Sequence, residues 1–150
     1  MSLTTIQAVS SENLHLVLPM IRQYQEFYKV KNINDDNNLE FFSQFGPSST
    51  SGCQFVISHE GAIAGFATVY FSFASSIIQK VAILNDLYTQ PELRGKGLAR
   101  KLIEHCRQYA KQHQAARLQW VTATDNTAAQ ALYDKLETQK SHWLFYSYPA

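Results

Sequence analysis

The strongest constraint on this chain lies between residues 80 and 114. KVAILNDLYT (80–89) reads as a strand, and its VAIL run (81–84) is apolar on both faces, as suits a central strand covered on two sides. A short break then leads into RGKGLAR (94–100), where two glycines and three cations stand at the entrance of an amphipathic helix from Gly97 to Gln114. A helix's first turn carries N–H groups with no intrahelical acceptor, together with the positive end of its dipole. Glycine lets a ligand's oxygens approach those amides without a Cβ in the way. The loop therefore reads in two ways, as a tight basic turn or as a cradle for a diphosphate.

The rest of the chain supplies the frame. Residues 3–9 suit an edge strand, and apolar positions Leu14, Val17, Leu18, Ile21, Tyr24 and Tyr28 give a helix from Ser11 to Tyr28, capped by Ser10 or Ser11. Pro19 should kink or split it. NINDDNN (32–38) reads as a polar break before a short helix at 39–45. CQFVISHE (53–60) and AIAGFATVYFSF (62–73) flank Glu60-Gly61 as a hairpin. Downstream, 117–124 reads as a strand, Thr127 to Leu136 as a helix and HWLFYSY (142–148) as a last strand. The order predicts an α/β (α+β) fold in one domain over 1–150, a mixed central sheet with helices on both faces.

Bulk properties narrow the function. A formal net charge of +1 gives no broad footprint for nucleic acid, so an anion site must be local. No apolar run reaches the ~20 residues of a membrane helix, and the opening stretch lacks the basic start of a secretory signal. Cys53 and Cys106 lack metal or redox spacing and read as reduced thiols of a cytoplasmic protein. The five histidines have no partners at metal-ligand spacing, so no metal site is expected.

The loop lacks G-x-x-x-x-G-K-[ST], and reading from Gly95 puts Arg100 where a dinucleotide loop needs its third glycine. It does fit [RQ]-x-x-G-x-[GA], as Arg94-x-x-Gly97-x-Ala99. Ahead of it stands Leu84-Asn85-Asp86-Leu87-Tyr88; beyond it, Asn126-Thr127-Ala128-Ala129-Gln130-Ala131-Leu132-Tyr133 matches N-x-x-A-x-x-L-Y at every fixed position. Together these resemble the GCN5-related N-acetyltransferase (GNAT) superfamily. Trp120-x-Thr122 and Tyr24-Gln25-Glu26-Phe27-Tyr28 are similar to its histone/polyamine acetyltransferase branch.

The resemblance implies the GNAT fold and direct transfer of an acetyl group from the cosubstrate acetyl-CoA to a primary amine. The acceptor would be a polyamine-like or lysine-like small molecule, or alternatively a protein or peptide amine. A non-catalytic acyl-CoA-binding module is the alternative from another class. Arg94, Gly95, Lys96, Gly97, Leu98 and Ala99 would hold the pyrophosphate, and the backbone of Leu87, Tyr88 and Thr89 would pair with the pantetheine arm. Asn126 would contact CoA or cap its helix, and Tyr133, neutral at pH 7, would both touch CoA and protonate the departing thiolate. Phe27, Tyr28, Asn85 and Asp86 would line the acceptor pocket, with Asp86 as base or amine anchor; from helical spacing alone, a core stripe is the preferred reading for Tyr24 and Tyr28. Asn85 stands where relatives carry Glu and cannot accept the amine's proton. LETQKSH (136–142) replaces the Gly-Phe that commonly follows the tyrosine helix. Relatives in this branch are commonly dimers, sometimes exchanging C-terminal strands, so HWLFYSY serves either a homodimer or an internal strand.

Overall fold

The computed structural model describes residues 3–150, which divide along the chain between Trp120 and Val121 into two compact units. The first holds a five-stranded sheet in the order β1-β2-β3-β4-β5, antiparallel except for the parallel β4–β5 pair. Its elements are β1 (Thr4–Ala8), α1 (Leu14–Phe27), α2 (Asp35–Phe42), β2 (Gly52–His59), β3 (Ala62–Ala74), β4 (Gln79–Thr89), α3 (Leu98–Gln112) and β5 (Leu118–Gln119). This is the mixed sheet with helices on both faces that the hydrophobic pattern predicts.

One sheet face packs on α1 and α2. Leu14, Val17, Met20 and Ile21 of α1 and Phe42 of α2 meet Val56, Phe66 and Tyr88 of the sheet in a continuous core. Each such fully buried large side chain contributes about 1.5–3 kcal/mol. The helices are tied to each other by a reciprocal amide pair between Gln25 and Asn38, both bonds 2.8 Å, and by Arg22 to Asp35 at 2.9 Å. The other face packs on α3, where Leu102, Ile103, Cys106 and Tyr109 are buried, Phe71 stacks on the Tyr109 ring and Phe55 meets it edge-on. Cys53 and Cys106 are free and buried.

Four local expectations need correction. Pro19 does not split α1, which runs unbroken through it; it costs the ladder the one bond to the His15 carbonyl, and the burial of Val17, Met20 and Ile21 around it outweighs that loss. The polar run 32–38 is not a break: Asn34 accepts from the Asn37 N–H at 2.9 Å, and Asp35 and Asp36 favour the positive helix end, so α2 starts inside it. The strand expected over 117–124 is ordered as a strand only at Leu118–Gln119. The strand expected over 142–148 does not form: no secondary structure follows α4 (Thr127–Asp134), and Trp143 and Tyr146 are exposed rather than packed. The apolar content of HWLFYSY favours strand, but a strand forms only where a neighbour satisfies its backbone.

The hairpin expectation holds. Glu60 and Gly61 both have positive φ, 52° and 82°, the twist that a two-residue turn requires between His59 and its partner Ala62. In the second unit, α4 is capped by Asn126, whose side-chain oxygen accepts from the Ala129 N–H at 3.2 Å.

Candidate active site

β4 carries the centre of the site, and one irregularity sets its geometry. Opposite β3, Val69 pairs with Leu84 and Thr68 with Asp86, so Asn85 is an extra residue, a β-bulge with an exposed side chain. Strand partners share a face, so the bulge reverses the alternation along β4. Leu84 lies with Val69 and Phe71 on the α3 side, whereas Asp86 lies with Thr68, Phe66 and Tyr88 on the α1 side. An ideal strand would have put residues 84 and 86 on the same face.

Asp86 is buried there, 7% exposed. Burial raises its pKa above the ordinary carboxylate value, and three donors oppose that rise: the hydroxyls of Thr68 and Tyr24 and the amide of Asn85. Asn85 Nδ2 stands 3.0 Å from Asp86 Oδ1 and also reaches the Tyr70 hydroxyl at 3.4 Å. The phenols respond in the opposite sense. Burial and the neighbouring carboxylate push Tyr70 up to about 12, and Tyr24 is raised further by burial and the same carboxylate. Both phenols therefore stay protonated donors at any working pH. A carboxylate has roughly four lone-pair directions, so three donors leave one.

The donor side is made differently. Gly95 and Gly97 have φ of 82° and 77°, and a Cβ built on either meets nothing within 4 Å, so the backbone is left-handed and its outer surface open. Gly97 caps α3 without a side-chain bond, the first turn of the 15-residue helix holds no acidic residue, and Arg94, Lys96 and Arg100 are exposed around it. These features fit a diphosphate. Arg94 is also tied to its surroundings: its Nε donates to the Thr89 carbonyl at 3.3 Å, and its guanidinium lies 5.9 Å from the Phe27 ring and 5.8 Å from the Tyr88 ring. It fastens the loop to the end of β4 and to the last turn of α1.

Between the two sides runs an open edge. β4 pairs with β5 only at Ala82 and Ile83, and among the described residues no strand pairs with its outer edge from Leu84 to Thr89. An extended polar chain can add there by main-chain hydrogen bonds.

The structure thus gathers Asn85 and Asp86 with Tyr24, and Arg94 with Phe27 and Tyr88. Phe27 and Tyr28 are exposed at 55% and 57%, so Tyr28 is not a core residue; Tyr24 is half-buried against Phe66 and Tyr88. Tyr88 is itself a core side chain, leaving only its backbone for a ligand. Asn126 and Tyr133 belong to α4 in the second unit, where Tyr133 is half-buried. The sequence reading missed Gln54, Thr68 and Tyr70. Their one signal was polar character in strands that are otherwise apolar on the same alternation: Gln54 beside Val56, and Thr68 beside Phe66.

Comparison with known proteins agrees with this geometry. The model of the acetyltransferase (GNAT) family matches residues 18–137. The uncharacterized N-acetyltransferase YhfO of Bacillus subtilis (strain 168) is 28% identical over 130 residues, 87% of this chain and 86% of its own. Thialysine N-epsilon-acetyltransferase of Caenorhabditis elegans is 26% identical over 132 residues, 88% of this chain and 81% of its own. A solved structure of a probable acetyltransferase superposes with a TM-score of 0.83 at 27% identity, covering 97% of both chains.

Proposed function

The chain belongs to the acetyltransferase (GNAT) family and is an acetyltransferase enzyme, and from that premise we propose that it acetylates a small polyamine-like or lysine-like primary amine from acetyl-CoA in a ternary complex. The observation that carries the acceptor class is Asp86: a buried carboxylate beside the half-buried rings of Tyr24 and Tyr70 is a recognition element for an alkylammonium group. The likeness to a thialysine acetyltransferase supports a lysine-like acceptor.

Acetyl-CoA supplies the acetyl group as a thioester. The amides from Gly95 to Ala99 hold its diphosphate, with Lys96 and Arg100 adding charge and Arg94 keeping the loop in place. Leu87 and Thr89 add the pantetheine arm to the open edge of β4, and an amide at that edge polarises the thioester carbonyl, a role often worth ~3 kcal/mol. Asp86 anchors the ammonium and accepts its proton. The nitrogen–carbon bond to the acetyl group then forms as the carbon–sulfur bond breaks, Tyr133 gives its phenolic proton to the leaving sulfur, and the surplus proton on the amide nitrogen leaves through solvent, which reprotonates the phenol. Phe27 and Tyr28 wall the acceptor's alkyl portion. We place the enzyme in the cytoplasm, as a homodimer; among the described residues no helix is long and apolar enough to cross a membrane.

The test is acetyl-CoA-dependent thiol release against spermidine, spermine, lysine, thialysine, aminoglycosides and N-terminal and histone-tail peptides. Release with the polyamines or the lysine analogues supports the reading. Release with peptides alone would overturn the small-molecule acceptor.

A further inference from the structure

The α1-facing surface of the sheet holds one polar rung among apolar ones. Val56 pairs with Phe66, and Phe66 with Tyr88, but in the next position Gln54 pairs with Thr68 and Thr68 with Asp86. Gln54 and Thr68 are fully buried. Gln54 Nε2 donates to Thr68 Oγ1 at 3.2 Å, and the Thr68 hydroxyl donates in turn to the Asp86 carboxylate. Gln54 Oε1 has no partner.

That stranded carbonyl is informative. A Leu or Met at position 54 would fill much the same space between apolar rungs and strand nothing, so packing alone does not account for glutamine. What glutamine adds is a single N–H aimed at Thr68. A threonine hydroxyl has one proton and can turn it several ways; an N–H bound to its oxygen biases that proton away from Gln54 and towards the carboxylate.

We propose that Gln54 and Thr68 are positioning residues for Asp86: the Gln54 amide orients the Thr68 hydroxyl, and that hydroxyl holds the carboxylate ionised, with its one remaining lone-pair direction left to the acceptor amine. Neither residue touches substrate; each acts through the next across three strands. The proposal rests on the reading of Asp86 as the acceptor-side carboxylate. The other ionisable groups that act on this cluster are Tyr24 from α1 and Tyr70 from β3, with Tyr28 acting on Tyr24; none is a cation.

The Asp86 carboxyl is titrated by carbon-13 NMR in the wild type and in Thr68→Val, Thr68→Ser and Gln54→Met, which needs no substrate. In parallel, the pH profile of kcat/KM is recorded with lysine or spermidine, whichever releases thiol. Loss of the Thr68 donor raises the Asp86 midpoint by roughly one pH unit, the scale of one hydrogen bond to a charged group. Gln54→Met raises it by about half as much, and Thr68→Ser restores the wild-type value. The acid limb of kcat/KM moves upward in step, while KM for acetyl-CoA stays within about twofold. A side chain that only packs would lower the melting temperature and leave the midpoint where it was. Unshifted midpoints in Thr68→Val and Gln54→Met overturn the proposal, and Gln54→Met carries the test alone if Thr68→Val does not fold. A shifted carboxyl midpoint with an unmoved acid limb supports the ladder and instead overturns Asp86 as the base.

Discussion

The proposed donor and acceptor halves of this site lie on opposite sides of one strand and are made of different material. On the α3 side the working groups are main-chain amides, exposed by two left-handed glycines and the start of a helix. On the α1 side they are side chains, three of them from three different strands, locked in a buried rung. A backbone site depends on the path of the chain and tolerates changes of side chain that leave the path alone. A side-chain site depends on the identity of each group and on the register that lines them up.

The comparison can be broken first at Gly97. Gly97→Glu puts a negative side chain into open space at the helix entrance and strains a φ of 77°; the space is free, so the fold survives, and acetyl-CoA affinity by calorimetry falls more than ~100-fold. Retained affinity would reduce RGKGLAR to a turn. On the acceptor side, Asp86→Asn should lower kcat/KM by ~10²- to 10³-fold with acetyl-CoA affinity unchanged. Its stability behaves differently. Because burial raises the folded pKa of Asp86, its contribution is complete at acid pH and is lost as pH rises through the folded value. Asparagine removes that loss, so the variant's melting temperature at pH 8 is no lower than the wild type's. Tyr133→Phe should cut turnover by ~10²-fold, most steeply at low pH with slow amines, while acetyl-CoA affinity stays within about twofold. The smallest effect sharpens the contrast: Lys96→Ala, an exposed charge over a backbone site, should raise KM for acetyl-CoA by only about threefold, less at high salt.

Legibility followed the same division. The donor loop was readable because a main-chain cradle demands particular residue types at fixed short spacing, and Arg94, Gly97 and Ala99 stand within six positions of one another. The fold was readable for a related reason: β1 to β4, α1 and α3 each announce themselves by their own periodicity. The acceptor rung was not readable. Gln54, Thr68 and Asp86 are brought together only by the register of three strands, and the phase of β4 beyond Leu84 depends on a bulge that an apolar run on both faces conceals. Arg94 shows a second limit. Its charge was visible, but its attachment to Thr89, Phe27 and Tyr88 depends on where α1 ends. The strand expected at 142–148 failed because apolar composition says that a segment wants a partner, not where one is.

The bulge at Asn85 also makes that position unusually changeable. A residue that pairs across a ladder, or that faces a core, can be replaced only by something of similar shape. Asn85 does neither: it is opposite no residue of β3 and its side chain is exposed. Its chemistry can therefore vary, from amide to carboxylate to hydroxyl, without moving a strand or opening a void. In the reading proposed above, a new amine preference can arise at this position in a single step while the donor half stays as it is.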